Sequence, residues 1–253
     1  MPALTLARLA LIEARRGGLV WLGVLVVAAG LGLGAFLGQL AITESRLLQA
    51  AVVAALLRVG AVFLLAAQVA ASVHREIDDR RLELMLALPL ARATQYMGRL
   101  LGFVALGVLF AAAFSLPLLI WATPTAVLGW GVSLACELAL VTAVALFFAM
   151  TLTPLVTALS STAALYLLAR SIGAIQAIAS GPLADDSTLH ALARRVVDGV
   201  ALLLPALDRA TRTEWLLYGL PDARTYAAAL AGLLVYLAVM AAAGVFDFQR
   251  RAA

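Results

Sequence analysis

Three ionisable side chains stand inside stretches that are otherwise apolar: Arg58 between Val52 and Val73, Glu137 between Trp130 and Met150, and Arg170 between Leu155 and Ile178. Charges in such surroundings are expensive, so they pair or face a polar cavity. Two chemistries follow. In the first, Glu137 and one arginine form a structural ion pair while the other arginine snorkels. In the second, an arginine stays unpaired in a pathway and attracts an anionic or zwitterionic group. A second polar concentration runs from His74 to Arg99. At about 100° per residue, Glu76, Asp79, Arg80 and Glu83 share one narrow stripe of a helix, while Ile77, Leu82, Leu84, Met85, Leu86 and Leu88 cover most of the rest.

Catalytic constellations are not apparent. The sequence holds no His-Glu-x-x-His and no Gly-x-Ser-x-Gly, and its two histidines are His74 and His190. All 18 basic residues are arginine, so a P-loop lysine is missing and the chain does not hydrolyse ATP by that route. One cysteine, Cys136, excludes an internal disulfide framework and a cysteine-rich metal site. The expectation is a non-enzyme, with no catalytic, metal or cofactor-binding residues on this chain.

The elements that must position these residues follow from composition. Hydrophobic residues make up 64% of the 253 and charged ones 13%, and the mean hydropathy is +1.05. Soluble domains run nearer half apolar and a quarter charged. That excess excludes a soluble enzyme, a disordered chain and a nucleic-acid-binding domain, despite the net charge of +4. A bilayer core about 30 Å thick needs about 20 apolar helical residues per crossing. Six stretches qualify: about 19–40, 52–73, 100–121, 130–150, 155–178 and 226–246. The predicted fold class is therefore all-α, a polytopic membrane protein forming a single domain over 1–253.

Arginine bias sets the orientation. Arg8, Arg15, Arg16, Arg75, Arg80, Arg81, Arg92, Arg99, Arg250 and Arg251 share the side of the termini. Arg46, Arg194, Arg195, Arg209, Arg212 and Arg224 fall opposite, so both termini are expected to be cytoplasmic. Counting about 1.5 Å per residue from the span ends puts Arg58, Glu137 and Arg170 at one depth, in the outer third of the membrane.

The segment after span two reads as an amphipathic helix over 74–88, ended by Pro89, lying along the cytoplasmic interface. An amphipathic N-terminal helix is predicted over 3–16. Within the outer segment 179–225, Leu189, Leu192, Val196, Val200, Leu203 and Leu207 recur at helical spacing. They predict about four turns of amphipathic helix, with the apolar face on the outer leaflet. This segment either covers the helix ends, gates a released substrate, or meets a periplasmic or extracellular partner. Gly30, Gly34 and Gly38 give the first span a small-residue face, read first as a contact inside the protomer.

The order Arg75-Glu76, then Leu82-Glu83-Leu84-Met85-Leu86-Ala87-Leu88-Pro89, then Gly98-Arg99 resembles the permease subunits of type-2 ABC (ATP-binding-cassette) exporters. Six spans, cytoplasmic termini, an amphipathic N-terminal helix and a largest outer loop before span six are further points of likeness. The chain departs from the pattern at Asp78-Asp79-Arg80-Arg81, where a small pair is common. The resemblance implies a coupling helix at 74–88 that docks a separate ATPase subunit through Arg75, Glu76, Asp79, Arg80, Glu83 and Pro89. It also implies two ATPase copies carrying ATP and Mg, a second permease copy in a homodimer, and a bacterial cytoplasmic (inner) membrane location. Spans two and five flank the central pathway in that family, which favours Arg58 and Arg170 over Glu137 as lining residues. The rival class is an ATP-independent channel or secondary transporter; spans 1–3 and 4–6 show no internal repeat that would support it.

Overall fold

The computed structural model describes residues 18–40, 45–79, 91–152, 154–179 and 188–250. Every regular element among them is helical: α1 Leu19–Leu40, α2 Ser45–Asp78, α3 Arg92–Ser115, α4 Pro124–Thr151, α5 Leu155–Ala179, α6 Thr188–Leu203, α7 Glu214–Tyr218 and α8 Ala223–Arg250. Short 3-10 turns cover Leu116–Ile120 and Leu207–Arg209. Six helices, α1 to α5 and α8, are long and apolar enough to cross a membrane. The chain is a multi-pass helical membrane protein. The expected N-terminal helix 3–16 lies outside the described residues.

Helices one and five start where the apolar runs start, and the others are longer. α2 spans 34 residues, about 51 Å at 1.5 Å per residue. It passes unbroken through position 74, so the start of the expected coupling helix is the last turn of the second span. Hydropathy marks the apolar part of a helix, whereas backbone hydrogen bonding continues into the polar residues at its ends. At the far end of α3, Pro117 lacks the N–H that would continue the α-helical ladder, and the backbone tightens into the 3-10 turn.

The bundle is organised around α4. Every residue from Glu137 to Leu146 is buried, as expected of a helix that is apolar on all sides. α2, α3, α5 and α8 pack around it, while α1 packs chiefly on α2. The glycine face of α1 serves that last contact. A Cβ at Gly38 would overlap the Gln49 amide, and one at Gly34 would press on Trp121 and Val53. Trp121 Nε1 in turn donates to Gln49 Oε1 at 2.5 Å. The stripe is a close approach within one protomer.

Candidate functional site

The three intramembrane charges meet. α4 starts at Pro124, earlier than its apolar run, so Glu137 falls near the midpoint of the helix. Its carboxylate is fully buried. Tyr166 of α5 donates its hydroxyl to Glu137 Oε1 at 2.8 Å. One turn further along the same helix, Arg170 Nη1 lies 3.8 Å from Glu137 Oε2. That distance makes an ion pair without a hydrogen bond.

Arg170 makes its short contacts elsewhere. Nη1 donates to Leu207 O at 2.5 Å and to Ala210 O at 2.9 Å, and Nη2 donates to Thr211 O at 3.2 Å. From α2, Arg58 Nη1 reaches the same Thr211 carbonyl at 2.8 Å. Arg58 does not snorkel: it is bound to backbone. The carbonyls belong to the segment that follows α6, whose one 3-10 turn pairs only part of its backbone, and which turns into the bundle. Leu207, Ala210 and Thr211 are all buried, and Pro205 and Leu207 line a small void with Leu140 and Val144 of α4.

Why arginine is needed there follows from the backbone. A segment outside regular structure leaves peptide groups unpaired, and at membrane depth no bulk water can satisfy them. Guanidinium offers five donors in a rigid fork, enough to serve several acceptors at once. Ser133 of α4 completes the arrangement. Its Oγ accepts from Thr211 N–H at 2.9 Å and lies 3.1 Å from the Thr211 hydroxyl. Thr211 has φ +48, a left-handed conformation that is rare for a β-branched residue. The bonds from both sides hold it there. The whole assembly carries two arginines against one carboxylate, and the side chains that surround Glu137 neutralise it.

The outer segment thus differs from its expectation. The amphipathic helix is present as α6 but ends at Leu203, and Leu207 leaves the expected outer face for the interior. Pro205 explains the break, because it cannot continue the helical hydrogen bonding. Tyr166, Ser133 and Thr211 were not singled out by sequence. Only Tyr166 carried a usable signal, being four residues before Arg170 and therefore on the same helix face.

At the other end of the bundle the docking residues divide. Glu76 Oε2 lies 2.7 Å from Arg99 Nη2, and the two side chains are 21% and 8% exposed. Glu76 is therefore turned inward onto α3, away from the free stripe the helical wheel suggested. Arg75 and Asp79 are exposed. Arg80, Glu83 and Pro89 lie outside the described residues. Nearby, Thr151 Oγ1 donates to Asp247 Oδ2 at 3.2 Å and Arg92 Nη1 donates to Gln249 O at 3.4 Å, which ties α4 and α3 to the end of α8. Among the described residues no group of three metal-ligating side chains occurs. Compared with known proteins, the chain matches no family model and no curated sequence.

Proposed function

We propose that this chain is the membrane-spanning permease subunit of a type-2 ABC exporter, moving a substrate outward on ATP hydrolysis by a separate nucleotide-binding subunit. The observation that carries this reading is the Glu76–Arg99 pair. These two residues stand in the first and last elements of the order that resembles the family, and they join the last turn of α2 to the first turns of α3 at 2.7 Å. A push delivered to the connecting segment by a closing ATPase would reach both helices together, as two-state coupling requires. α2 also carries Arg58, so the same helix links the docking end to the buried cluster. ATP and Mg belong to the ATPase subunits. A second permease copy completes the pathway in a bacterial cytoplasmic membrane, with both termini inside. Arg58 and Arg170 act here as struts for the segment around Thr211, since their short contacts go to its carbonyls.

The test is purification from native membranes in mild detergent, followed by ATPase assay of the chain and whatever accompanies it in fixed ratio. The reading expects ATP hydrolysis that co-purifies with the wild type and is lost on Glu83→Arg, while the variant remains inserted in the membrane. Solute flux through the purified chain alone in liposomes, independent of ATP, would sink it in favour of a channel or secondary transporter.

A further inference from the structure

On the side where α8 begins, a cavity of about 650 Å³ opens between α5, α6, the 204–215 segment and the first half of α8. It is separate from the Glu137 cluster. Its volume is in the range of small-molecule sites, which combine apolar walls with a few placed polar groups. One wall is apolar and partly aromatic, formed by Trp215, Leu233 and Tyr236, and Gly232 leaves a hollow in it. A Cβ at Gly232 would meet nothing within 4 Å.

The polar wall carries four charges in two groups. Asp198 of α6 and Asp208 of the 204–215 segment lie against α5, the first accepting from Gln176 at 3.0 Å and the second packed on Gly173. Arg209 and Arg212 follow on the segment itself. Arg212 is anchored through Nε to Asp208 O at 3.0 Å. Its Nη1 lies 3.7 Å from Glu214, in a solvent-exposed pair that holds weakly. Arg209 is exposed, and its guanidinium makes no hydrogen bond or ion pair among the described residues. The charges of the wall sum to zero, and both carboxylates are turned onto α5. A simple anion would meet both signs.

From this pattern we infer a binding site for a zwitterionic phospholipid, with phosphate on Arg209 and Arg212, ammonium on Asp198 and Asp208, and an acyl chain along the wall of α8. Guanidinium matches phosphate through paired donors. The lipid would enter sideways, because Ala228, Ala229 and Gly232 of α8 present little bulk between the cavity and the surrounding membrane. The inference depends on the membrane-spanning fold alone and stands apart from the exporter reading.

Trp215 provides the readout. Wild type in amphipol is titrated with lysophosphatidylethanolamine bearing a brominated acyl chain, and the quenching that disappears in Trp215→Phe is taken as the signal. Saturable quenching is expected. The double variant Arg209→Gln with Arg212→Gln should bind about tenfold more weakly, the loss expected when hydrogen bonds to a charged group are removed. Gly232→Leu, which fills the hollow without touching a charge, should weaken it as well. Equal binding by both variants would overturn the site. Equally tight binding of brominated lysophosphatidylglycerol would overturn the role of the carboxylates. Displacement by inorganic phosphate at the lipid's own concentration would reduce the site to a phosphate site and overturn the lipid assignment.

Discussion

Two partly buried ion pairs in this molecule have opposite structural purposes. Glu76 and Arg99 join two regular helices, and the 2.7 Å contact is a link between side chains. Glu137 and Arg170 are 3.8 Å apart, and the arginine makes three closer contacts to the carbonyls of residues 207, 210 and 211. There the charge pair is secondary, and the primary task is to satisfy backbone that has left the helix. Two pairs of the same residue types can thus differ in what fails when one partner is removed.

The largest effect should come from the cluster. Arg170→Gln takes the paired cation from a fully buried carboxylate and the guanidinium donors from the carbonyls of residues 207, 210 and 211, and should lower stability by about 3–5 kcal/mol. Arg58→Gln, which removes one donor to Thr211, should lower it by about 1–3 kcal/mol. Thermal or denaturant unfolding in detergent reads both. A sharper version is Arg170→Met combined with Glu137→Leu. If the ion pair were the main element, apolar replacement would restore stability. The carbonyl contacts predict that the double variant stays destabilised, and full recovery would break the distinction between the two pairs.

The Glu76–Arg99 pair should give a smaller and more symmetrical result. A double-mutant cycle over Glu76→Gln and Arg99→Gln is expected to show a coupling of about 0.5–3 kcal/mol. Exchanging the charges, Glu76→Arg with Arg99→Glu, should recover much of the loss, because the 2.7 Å contact joins one side chain to the other. A coupling near zero would mean that the contact is incidental.

The smallest effect is at an exposed helix end with no ion pair. Asp222 precedes α8 and accepts from Thr225 N–H at 3.2 Å. The side-chain and backbone bonds from Thr225 hold its carboxyl below the usual aspartate range. A carboxyl lowered in the folded state adds stability that is fully present above its unfolded value, about 3.9, and is lost as pH falls through the lower folded value. Melting temperature should therefore drop slightly on acidification below about pH 4. Asp222→Asn keeps the acceptor without the titration and should remove that small component; an unchanged acid profile would exclude the cap as its source.

Legibility differed between these regions for physical reasons. The apolar runs announced six crossings because hydropathy is a local property, and the cost of a lone charge announced Arg58, Glu137 and Arg170. The partners of the arginines were hidden, since a carbonyl that needs a donor has no signature in residue type. Glu76 was visible as part of a charged stripe, yet a helical wheel cannot say which side of that stripe meets α3. The glycines of α1 were read first as an internal contact, and Gln49 and Trp121 supply its details.

The sequence by itself determined a helical membrane protein with its six apolar stretches, its polar connection after span two and its amphipathic segment before span six. Each of these rests on the transfer of side chains between water and an apolar medium, which needs no knowledge of neighbours. Tertiary structure alone decided that α4 is central, that the segment after Leu203 turns into the bundle, and that Arg58 and Arg170 hold it there. Those outcomes depend on which backbone groups are left unpaired once the helices have packed, and that is settled only by the assembled chain.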